Sequence, residues 1–573
     1  MKALRDFLAR SLPAHLVPAP FIATDALPRL ASGKVDRRSL ALRGWNPSGI
    51  ESFDAEGGEP RGPVAELLAA IWSDLLGAPS VAAGDGFFEL GGHSLLATQV
   101  VSRVRDAFGI ELPLADLFAA PTLPGFAARV EAALLGGAST VAPALVPVVR
   151  PFGAPLSFAQ QRLWFLDQIQ PRSALYHLPV ALKVVGPLRG SALGAARDAL
   201  VRRHEALRTV FAVVDGEPVQ VVQPTASVAL PLIDLAALSA PAQEREAVQL
   251  ALQEARQPFD LAHGPLLRVT LLRLAPDEHA VLLTMHHIVS DGWSMELLVR
   301  ELTALYAAAA TGGATELPPL PVQYADFAVW QRGWLQGEVL AREVAYWRER
   351  LAGAQPLLSL PTDRPRPAVA SSRGAARPFR LAPSLAADLG ALGRRAGVTP
   401  FMALLAGFVA LLGRLSGATD VSIGAPIAGR NRLETEGLIG FFVNTLVLRT
   451  ELSGAPSFAA LLSQVRETSL AAYLHQELPF EKLVEELAPP RSLGHTPLFQ
   501  VALAVQTARP IGSGAVAPGL TLAPFPLPPG ASGTAKFDLT LSLFLSGAGI
   551  TGSAEFATDL FDTTTIDRLL GAY

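Results

Sequence analysis

The sequence of residues 280–294 is AVLLTMHHIVSDGWS, and its hydrophobic pattern changes part-way along. The residues from Ala280 to Met285 form an apolar, β-type run, whereas those from Trp293 to Ala310 have the spacing of an amphipathic helix. The same two patterns recur later, with a helix predicted over 401–415 and a strand over 443–448. The long C-terminal part of the chain is therefore predicted to be α/β.

Two histidines occupy this strand-to-helix junction. His286 and His287 are adjacent, and neighbouring residues at a strand end point to opposite faces. We therefore expect one histidine to support the structure of the site and the other to take part in the reaction. An imidazole with an unperturbed pKa of about 6.5 is largely neutral at physiological pH, as a group that accepts a proton or holds an amine must be. The backbone N–H groups after Asp291, from Gly292 onward, begin a helix and can stabilise an oxyanion.

The alternatives for these residues are structural. A lone histidine is usually a packed, hydrogen-bonded core residue, and Asp291 alone is typical of a helix start. The histidine pair followed by Asp-Gly at fixed spacing favours a functional site.

Length and composition bound the architecture around this motif. A chain of 573 residues predicts about four units, and 50% hydrophobic with 17% charged residues indicates globular domains. Two tracts rich in Gly and Pro interrupt the chain and predict linkers. The predicted divisions are an N-terminal piece 1–45, a linker 46–60, a helical segment 61–135, a Pro-rich linker 136–153, and an α/β segment 154–573 with lobes at about 154–330 and about 331–573.

Charge and cysteine content exclude several functions. The net charge of −4 provides no basic field for nucleic acid. The absence of cysteine excludes disulfides, thiolate nucleophiles and cysteine metal sites, and no HExxH motif is present. The apolar stretch 401–413 is shorter than the ~20 residues of a membrane-spanning helix, and the N-terminus has no signal-peptide pattern. We expect a cytoplasmic chain with no nucleic-acid, membrane or metal partner.

A second motif, DGFFELGGHSL, covers residues 85–95 of the helical segment. It places the hydroxyl of Ser94 at the start of a helix predicted to run to Phe108, where free N–H groups and the helix dipole favour an anion such as a phosphate ester. A plain N-cap serine is the structural alternative. A hydrolase elbow, G-x-S-x-G, is excluded because Leu96 stands where the last glycine is needed and no strand precedes the motif.

This helical segment resembles the acyl or peptidyl carrier domains of nonribosomal peptide synthetases, whose signature is Gly-Gly-(His/Asp)-Ser-Leu. The resemblance implies a small four-helix bundle in which Ser94 carries a 4′-phosphopantetheine arm, attached by a phosphopantetheinyl transferase. The arm would supply the thiol that a chain without cysteine lacks.

The α/β segment resembles nonribosomal peptide condensation domains, of the chloramphenicol-acetyltransferase-like superfamily. Besides His-His-x-x-x-Asp-Gly, further signatures follow in the expected order over nearly all of 154–573: 157–164, 203–209, 324–327, 439–445 and 475–480. The resemblance implies a bilobal α/β fold with its site in a channel between the lobes. It also implies that His287 is the catalytic or amine-positioning residue, with His286, Asp291 and Gly292 completing the motif.

The resemblance further implies a structural salt bridge from Asp291 to an arginine, for which Arg430 in GAPIAGR (424–430) is the candidate. Epimerisation domains carry tryptophan four residues after the aspartate, where this chain has Met295, and heterocyclisation domains replace the histidines with aspartate. Together with His93 before the carrier serine, these departures favour the version that joins two L-configured residues.

Residues 1–45 resemble the C-terminal end of an adenylation domain, through LPAHLVP (12–18) and LPRLASGKVDR (27–37). In that family Lys34 would contact the acyl-adenylate, whereas a Gly-Lys turn by itself is typical of a solvated loop. No nucleotide-binding core accompanies it, so no adenylation is expected from this chain.

Together the resemblances imply amide-bond formation between a donor thioester on Ser94 and the amine of an acceptor. The implied partners are an upstream adenylation core, a downstream acceptor carrier and the phosphopantetheinyl transferase, and a monomer is expected. Two alternatives stay open: an acyltransferase that makes esters or acylates a free small molecule, and an inactive condensation-like recruitment platform, in which loss of the histidine pair is expected.

Overall fold

The computed structural model describes residues 62–573 except 83, 137–141, 151, 314, 316, 491, 508–513, 518, 528–529, 531–532 and 547–548. The predicted N-terminal piece with Lys34 and the linker 46–60 therefore lie outside the described residues. The described chain divides into two compact units: a first unit of 62–90 and 120–131, and a second unit of 91–119 and 132–573.

The helices of the described chain are α1 (Pro63–Leu76), α2 (Ser94–Phe108), α3 (Leu114–Ala119), α4 (Leu123–Gly136), α5 (Phe158–Ile169), α6 (Gly190–Arg203), α7 (Ala240–Arg256), α8 (Gly292–Thr311), α9 (Tyr324–Trp334), α10 (Gly337–Arg350), α11 (Pro383–Ala396), α12 (Pro400–Ser416), α13 (Leu433–Glu436), α14 (Phe458–Leu474), α15 (Phe480–Leu487) and α16 (Thr563–Ala572). None of these helices is long and apolar enough to cross a membrane.

The strands are β1 (Ala154–Pro155), β2 (His177–Val185), β3 (Thr209–Val214), β4 (Glu217–Val222), β5 (Leu232–Asp234), β6 (Leu267–Ala275), β7 (Glu278–His286), β8 (Gly374–Arg380), β9 (Asp420–Ile427), β10 (Asn444–Glu451), β11 (Val501–Thr507), β12 (Gly514–Ala517), β13 (Leu520–Pro524), β14 (Leu539–Ser546) and β15 (Gly549–Ala557).

The first unit is organised around Trp72, which is fully buried on α1. Its ring meets Phe87 edge-on at 5.2 Å and stacks on Phe126 of α4 at 6.4 Å. Helix α1 begins with Pro63 and ends at Gly77 in the left-handed conformation, as its sequence predicts. An aromatic core thus stabilises this small unit.

One six-stranded sheet of the second unit has the strand order β12-β13-β2-β7-β6-β5. Its neighbours are antiparallel except for the parallel pair β5 and β6. Strand β7 is buried along most of its length, lies near the sheet centre, and ends at His286. The sheet therefore delivers the histidine pair at the end of a rigid central strand.

Strands β12 and β13 come from late in the chain but join this sheet. Thr521 of β13 pairs with Val185 of β2, so the predicted second lobe contributes an edge to the sheet of the first. The buried side chain of Leu520 packs into the same core as β2 and β7. Backbone hydrogen bonds between β13 and β2 therefore join the two lobes.

The other six-stranded sheet has the order β10-β9-β11-β14-β15-β8, with parallel pairs only at β9–β11 and β11–β14. A small antiparallel sheet contains β1, β4 and β3. The connection 428–443 between β9 and β10 reaches the core of the first sheet, where Leu438, Ile439 and Phe442 are buried. The predicted fold class, a helical carrier segment followed by a bilobal α/β domain, is confirmed.

Candidate active site and carrier attachment site

The two histidines have different surroundings. His286 closes β7 opposite His177 of β2, is only 4% exposed, and accepts a hydrogen bond from Ile288 N through Nδ1 at 3.1 Å. Its ring lies edge-on to His177 at 5.9 Å and to Phe259 at 6.0 Å. Burial, reinforced by neighbouring positive charge, holds the pKa of His286 well below its usual value. His286 therefore packs in the interior and stays neutral.

His287 begins a short 3₁₀ turn and is only partly buried. Its Nδ1 lies 2.8 Å from the carbonyl oxygen of Ser290, and because a carbonyl can only accept, Nδ1 carries the proton. Burial, and then repulsion from the Lys536 ammonium, lower the pKa of His287 to about 3. The unprotonated Nε2 is thus a hydrogen-bond acceptor at physiological pH.

Lys536 is the charged residue that lowers the pKa of His287. Its ammonium lies 5.2 Å from the ring centroid of Tyr176, and its backbone N–H donates to Glu555 Oε1 at 3.3 Å. Burial lowers the pKa of Lys536, while the opposite charge of Glu555 acts against that shift. No role was predicted for Lys536 from the sequence, because a single lysine outside any motif carries no signal.

Asp291 is fully buried and caps α8. Its Oδ1 accepts hydrogen bonds from Ser294 N at 2.8 Å and from Arg430 Nη2 at 3.2 Å, and its Oδ2 accepts from Phe442 N at 3.0 Å. The carboxylate therefore joins the turn after His287 to the connection 428–443 of the other lobe. This arrangement fixes the position of the turn rather than presenting the acid to a substrate.

Arg430, 2% exposed, extends the same network. It donates to Ser294 Oγ at 2.8 Å and to the carbonyl oxygens of Leu438, at 2.8 Å, and Thr435. Its guanidinium carbon lies 4.0 Å from the ring centroid of Phe442. Burial lowers the pKa of Arg430 and the charge of Asp291 opposes the shift, so the two groups meet as a paired, hydrogen-bonded ion pair.

The other sequence signatures converge on this turn. Gln160 donates from Nε2 to Ile288 O at 3.2 Å, and the Tyr324 hydroxyl donates to Phe441 O at 2.6 Å. Ser294 Oγ donates to Gly440 O at 2.9 Å. Each contact immobilises the backbone beside His287, so the signatures share a structural function: they hold the site rigid.

Gly292 follows Asp291 at the first position of α8 and is exposed. A Cβ atom added there would meet nothing within 4 Å. Packing therefore does not require glycine at position 292. The backbone N–H of Gly292 is the group that the sequence predicts to stabilise an oxyanion.

Ser94 is the first residue of α2, and His93 rather than Ser94 is the N-cap. The Ser94 side chain is partly buried, and its hydroxyl acts against the rise in the pKa of Tyr473 on α14 that burial causes. At the other end of α2, Arg105 donates to Asn431 O at 3.0 Å. The simple N-cap interpretation of Ser94 is therefore wrong in this structure.

A cavity within the second unit lies beside the turn that carries His287. Its walls include Asn431, Gln476, Glu477 and Phe441, and the ring centroid of Phe441 lies 4.6 Å from that of His287. Trp330 and Trp334 line it with Phe327, so it is aromatic with a few amide and carboxyl groups.

Comparison with known proteins agrees with this geometry. Residues 153–573 match the condensation domain family, and residues 66–130 match the phosphopantetheine attachment site. The chain belongs to the condensation domain family.

The relatives of this condensation domain chain are nonribosomal peptide synthetases. One of the linear gramicidin synthase proteins of Brevibacillus parabrevis is 48% identical over 571 residues, covering 100% of the chain and 7% of the relative. The dimodular nonribosomal peptide synthase of Bacillus subtilis is 42% identical over 584 residues, covering 99% and 23%. The chain therefore spans a small part of these relatives' length.

A solved structure supports the fold of the condensation domain. The X-domain from teicoplanin biosynthesis is 32% identical with a TM-score of 0.68, covering 74% of this chain and 94% of that one. The predicted enzyme class, an acyltransferase-type domain, and the predicted 4′-phosphopantetheine cofactor are confirmed by the family matches.

The residues around the cavity suit such an arm. Aromatic walls can pack against its methyl-bearing carbon chain, and the side chains of Asn431 and Gln476 offer amide groups that match its two amides. When bound, the arm supplies the thiol that holds an acyl group as a thioester.

Several residues that the structure brings to these sites were not predicted from the sequence: His177, Tyr473, Glu477 and Lys536. Glu477 lies in the signature 475–480, yet its contact with Trp334, whose Nε1 donates to Oε2 at 2.7 Å, depends on packing 143 residues apart. No local pattern signals a contact of that kind.

Proposed function

We propose that this chain forms amide bonds, with Ser94 bearing the donor arm and His287 acting on the acceptor amine. In this reaction the amine of a downstream carrier-bound aminoacyl group attacks the donor thioester carbonyl, the new C–N bond forms, and the C–S bond breaks. The thiol of the arm is regenerated, and the product stays on the acceptor carrier.

The observation that carries this proposal is the geometry of His287. Its Nδ1 is bonded to the carbonyl oxygen of Ser290 at 2.8 Å, so that Nε2 can accept a hydrogen bond from an amine. Its ring centroid lies 4.6 Å from that of Phe441, which lines an aromatic cavity.

The low pKa of His287 favours a role in positioning the acceptor amine over a role in taking its proton. An α-amine has a pKa of about 7.7–8.0, whereas burial and Lys536 lower the pKa of His287 to about 3. Transfer of the amine's proton to the imidazole would therefore be uphill by ~6–7 kcal/mol. Nε2 instead accepts a hydrogen bond from the neutral amine and orients its lone pair toward the thioester.

The proposal extends to partners and type. The histidine pair, Met295 and His93 support joining of two L-configured residues. The partners would be an upstream adenylation core, a downstream acceptor carrier and a phosphopantetheinyl transferase, around a monomeric, cytoplasmic chain. Lys34 would belong to the adenylation core and take no part in condensation.

A recruitment platform is the second candidate function. A solved complex of the teicoplanin X-domain with OxyB, 32% identical to this chain with a TM-score of 0.67, is such a condensation-like fold bound to another protein. The retained histidine pair and the aromatic cavity lined by Phe441, against the ring of His287, favour the enzyme.

Intact-mass analysis tests the proposal. The chain is treated with a phosphopantetheinyl transferase and an aminoacyl-coenzyme A, and then mixed with a loaded acceptor carrier. We expect a dipeptidyl mass on the acceptor, its loss by about 100-fold or more in His287→Ala, and no arm in Ser94→Ala. His263→Ala, at a histidine whose side chain is 83% exposed, is the matched control and should behave as the wild type. Equal product from the wild type and His287→Ala would contradict the proposal.

Soluble amines and alcohols replace the acceptor carrier in a second arm of this experiment. Product formed from them but not from the loaded carrier would indicate the ester-forming or small-molecule alternative. Absence of product from every acceptor, with the arm attached, would favour the platform.

A further inference from the structure

Residues 142–150 lie between the two family matches, of which one ends at residue 130 and the other begins at residue 153. They form no helix or strand, yet they are bound to the condensation domain. The side chain of Leu145 is 4% exposed and packs in the core that contains β2 and β7. The carbonyl oxygen of Pro143 accepts a hydrogen bond from Trp330 Nε1 on α9 at 2.8 Å. We call residues 142–150 the anchored segment.

Asp326 of α9 holds the later part of the anchored segment. It is 1% exposed, and its Oδ2 accepts a hydrogen bond at 2.8 Å from the backbone N–H of Gln323, the N-cap residue of α9. Its Oδ1 accepts from Val148 N at 3.0 Å and lies 3.3 Å from Arg150 Nε. One carboxylate therefore caps the helix and binds the segment.

Arg150 completes the attachment at the end of the segment. Its Nη2 lies 2.9 Å from Glu205 Oε2, and its Nε donates to Val148 O at 3.1 Å. The side chains of Arg150 and Glu205 are 17% and 22% exposed, so salt screens this ion pair less than an exposed one. The anchored segment is thus held at three places: Pro143 O, the Leu145 side chain, and residues 148–150.

This attachment shortens the connection between the carrier helices and the condensation domain. Helix α4 ends at Gly136, and Ala142, the first residue of the anchored segment, is buried. Six Cα–Cα steps separate these residues, and they span at most ~22 Å. Without the attachment, the connection would run from Gly136 to Ala154 at the start of β1, which is 18 steps with a span of up to ~65 Å.

The length of the connection sets how often a group on the carrier meets the condensation domain. For two parts of one chain, the effective concentration falls approximately as the −3/2 power of the connecting length. A threefold longer connection therefore lowers this concentration by about 5-fold.

We propose that Asp326 is a positioning residue for condensation: by holding residues 142–150 against α9, it keeps the connection short and raises the rate at which the arm on Ser94 delivers its acyl group. The inference rests on the proposed function, which places the donor arm on Ser94. Asp326 acts through the anchored segment and makes no contact with the reacting groups.

Two variants lengthen the connection in different ways. The release variant, Leu145→Ala with Arg150→Ala, removes the buried side chain and the ion pairs but leaves Asp326 and the cap of α9 in place. The insertion variant adds twelve Gly-Ser residues after Ala138, so that the connection has 18 steps while the anchored segment stays unchanged. Val146→Ala with Val149→Ala is the matched control, because these side chains of the same segment are 54% and 90% exposed.

The first measurement is the distance between the two domains, which does not require condensation. Because the chain has no cysteine, Ala70→Cys on α1 and Thr564→Cys on α16, both at exposed positions, accept spin labels without background. Double electron–electron resonance should show a distribution that extends to longer distances in the release and insertion variants than in the wild type and the control. An unchanged distribution in the release variant, with the fold retained in thermal unfolding, would overturn the proposal.

The second measurement compares two sources of the donor. The initial rate of dipeptide formation from a donor on the chain's own arm should fall by about 5-fold in the release and insertion variants. A free aminoacyl-pantetheine, supplied to each variant in a Ser94→Ala background, should react at the wild-type rate. An equal fall with both donors, or an unchanged rate from the arm in the insertion variant, would overturn the positioning role.

Failure of the proposed function has a different outcome. It would give no dipeptide from either donor in the wild type, whereas the distance distributions would still decide whether the anchored segment limits the reach of the carrier helices.

Discussion

Removing either member of the buried Asp291–Arg430 pair should destabilise the second unit by several kcal/mol. The carboxylate is 0% exposed and the guanidinium 1% by side chain, with Nη2 and Oδ1 3.2 Å apart. Arg430→Ala leaves a buried carboxylate without its counter-charge, and Asp291→Ala leaves a buried guanidinium, each at a cost of ~3–5 kcal/mol. Asp291→Ala also removes the cap on Ser294 N, which contributes about 1 kcal/mol more.

The double variant removes both charges and should cost less than the sum of the single variants. We expect a coupling free energy of about 3 kcal/mol, at the upper end for residues in contact. Urea unfolding followed by circular dichroism measures it from the wild type, the two single variants and the double variant. The exposed pair Arg377–Asp567, with side chains 44% exposed on both partners, is the control, and its variants should be additive.

Additive losses at Asp291 and Arg430 would refute this reasoning, because they would mean that the two charges do not compensate each other. A near-native stability of Arg430→Ala, together with unfolding of Asp291→Ala, would also refute this reasoning. In that case the backbone donors Ser294 N and Phe442 N alone would satisfy the carboxylate.

Two further predictions concern His287 and the glycines beside it. Because burial lowers the pKa of His287 to about 3, the folded chain binds fewer protons than the unfolded chain, so stability falls as the pH drops from about 6.5 toward 3. His287→Gln should reduce this loss of stability at low pH, which is measured as the urea midpoint of unfolding at each pH. An equal pH dependence of the midpoint in the wild type and the variant would contradict the prediction. Gly440→Ala should lower the melting temperature through a loss of ~1–3 kcal/mol, because its Cβ would lie 2.0 Å from Tyr324 Cδ2. Gly292→Ala, whose Cβ meets nothing within 4 Å, should melt as the wild type; equal melting of the two variants would show that the packing argument is wrong.

The contrast between the two histidines explains how a neutral imidazole is maintained. His286 is enclosed by aromatic neighbours, and His287 has its Nδ1 committed to Ser290 O. Lys536 adds positive charge near both rings, which disfavours the imidazolium form of each. The site is therefore organised to accept a hydrogen bond over a wide pH range rather than to titrate near neutrality.

Helix ends and strand periods could be predicted from the sequence because they depend on neighbouring residues. The predicted apolar run from Ala280 to Met285 lies within β7, which covers Glu278–His286, and α12 at Pro400–Ser416 encloses the predicted 401–415. Proline at a first turn and glycine in the left-handed conformation after a last turn are local rules. The candidate partner of Asp291 came from a family resemblance, and its distance from the carboxylate came from the structure.

The sequence by itself determined the strand-turn-helix around His287, the helix that begins at Ser94, the carrier and condensation families, and the exclusion of thiol chemistry by the chain's own residues. Those features follow from residue order, since periodicity, capping and motifs act over a few positions. Only the tertiary structure decided that β13 joins the sheet of β2 and that Arg105 of α2 donates to the carbonyl oxygen of Asn431. Each of these contacts joins residues more than 300 positions apart, and the packing of whole lobes, rather than any local preference, brings them together.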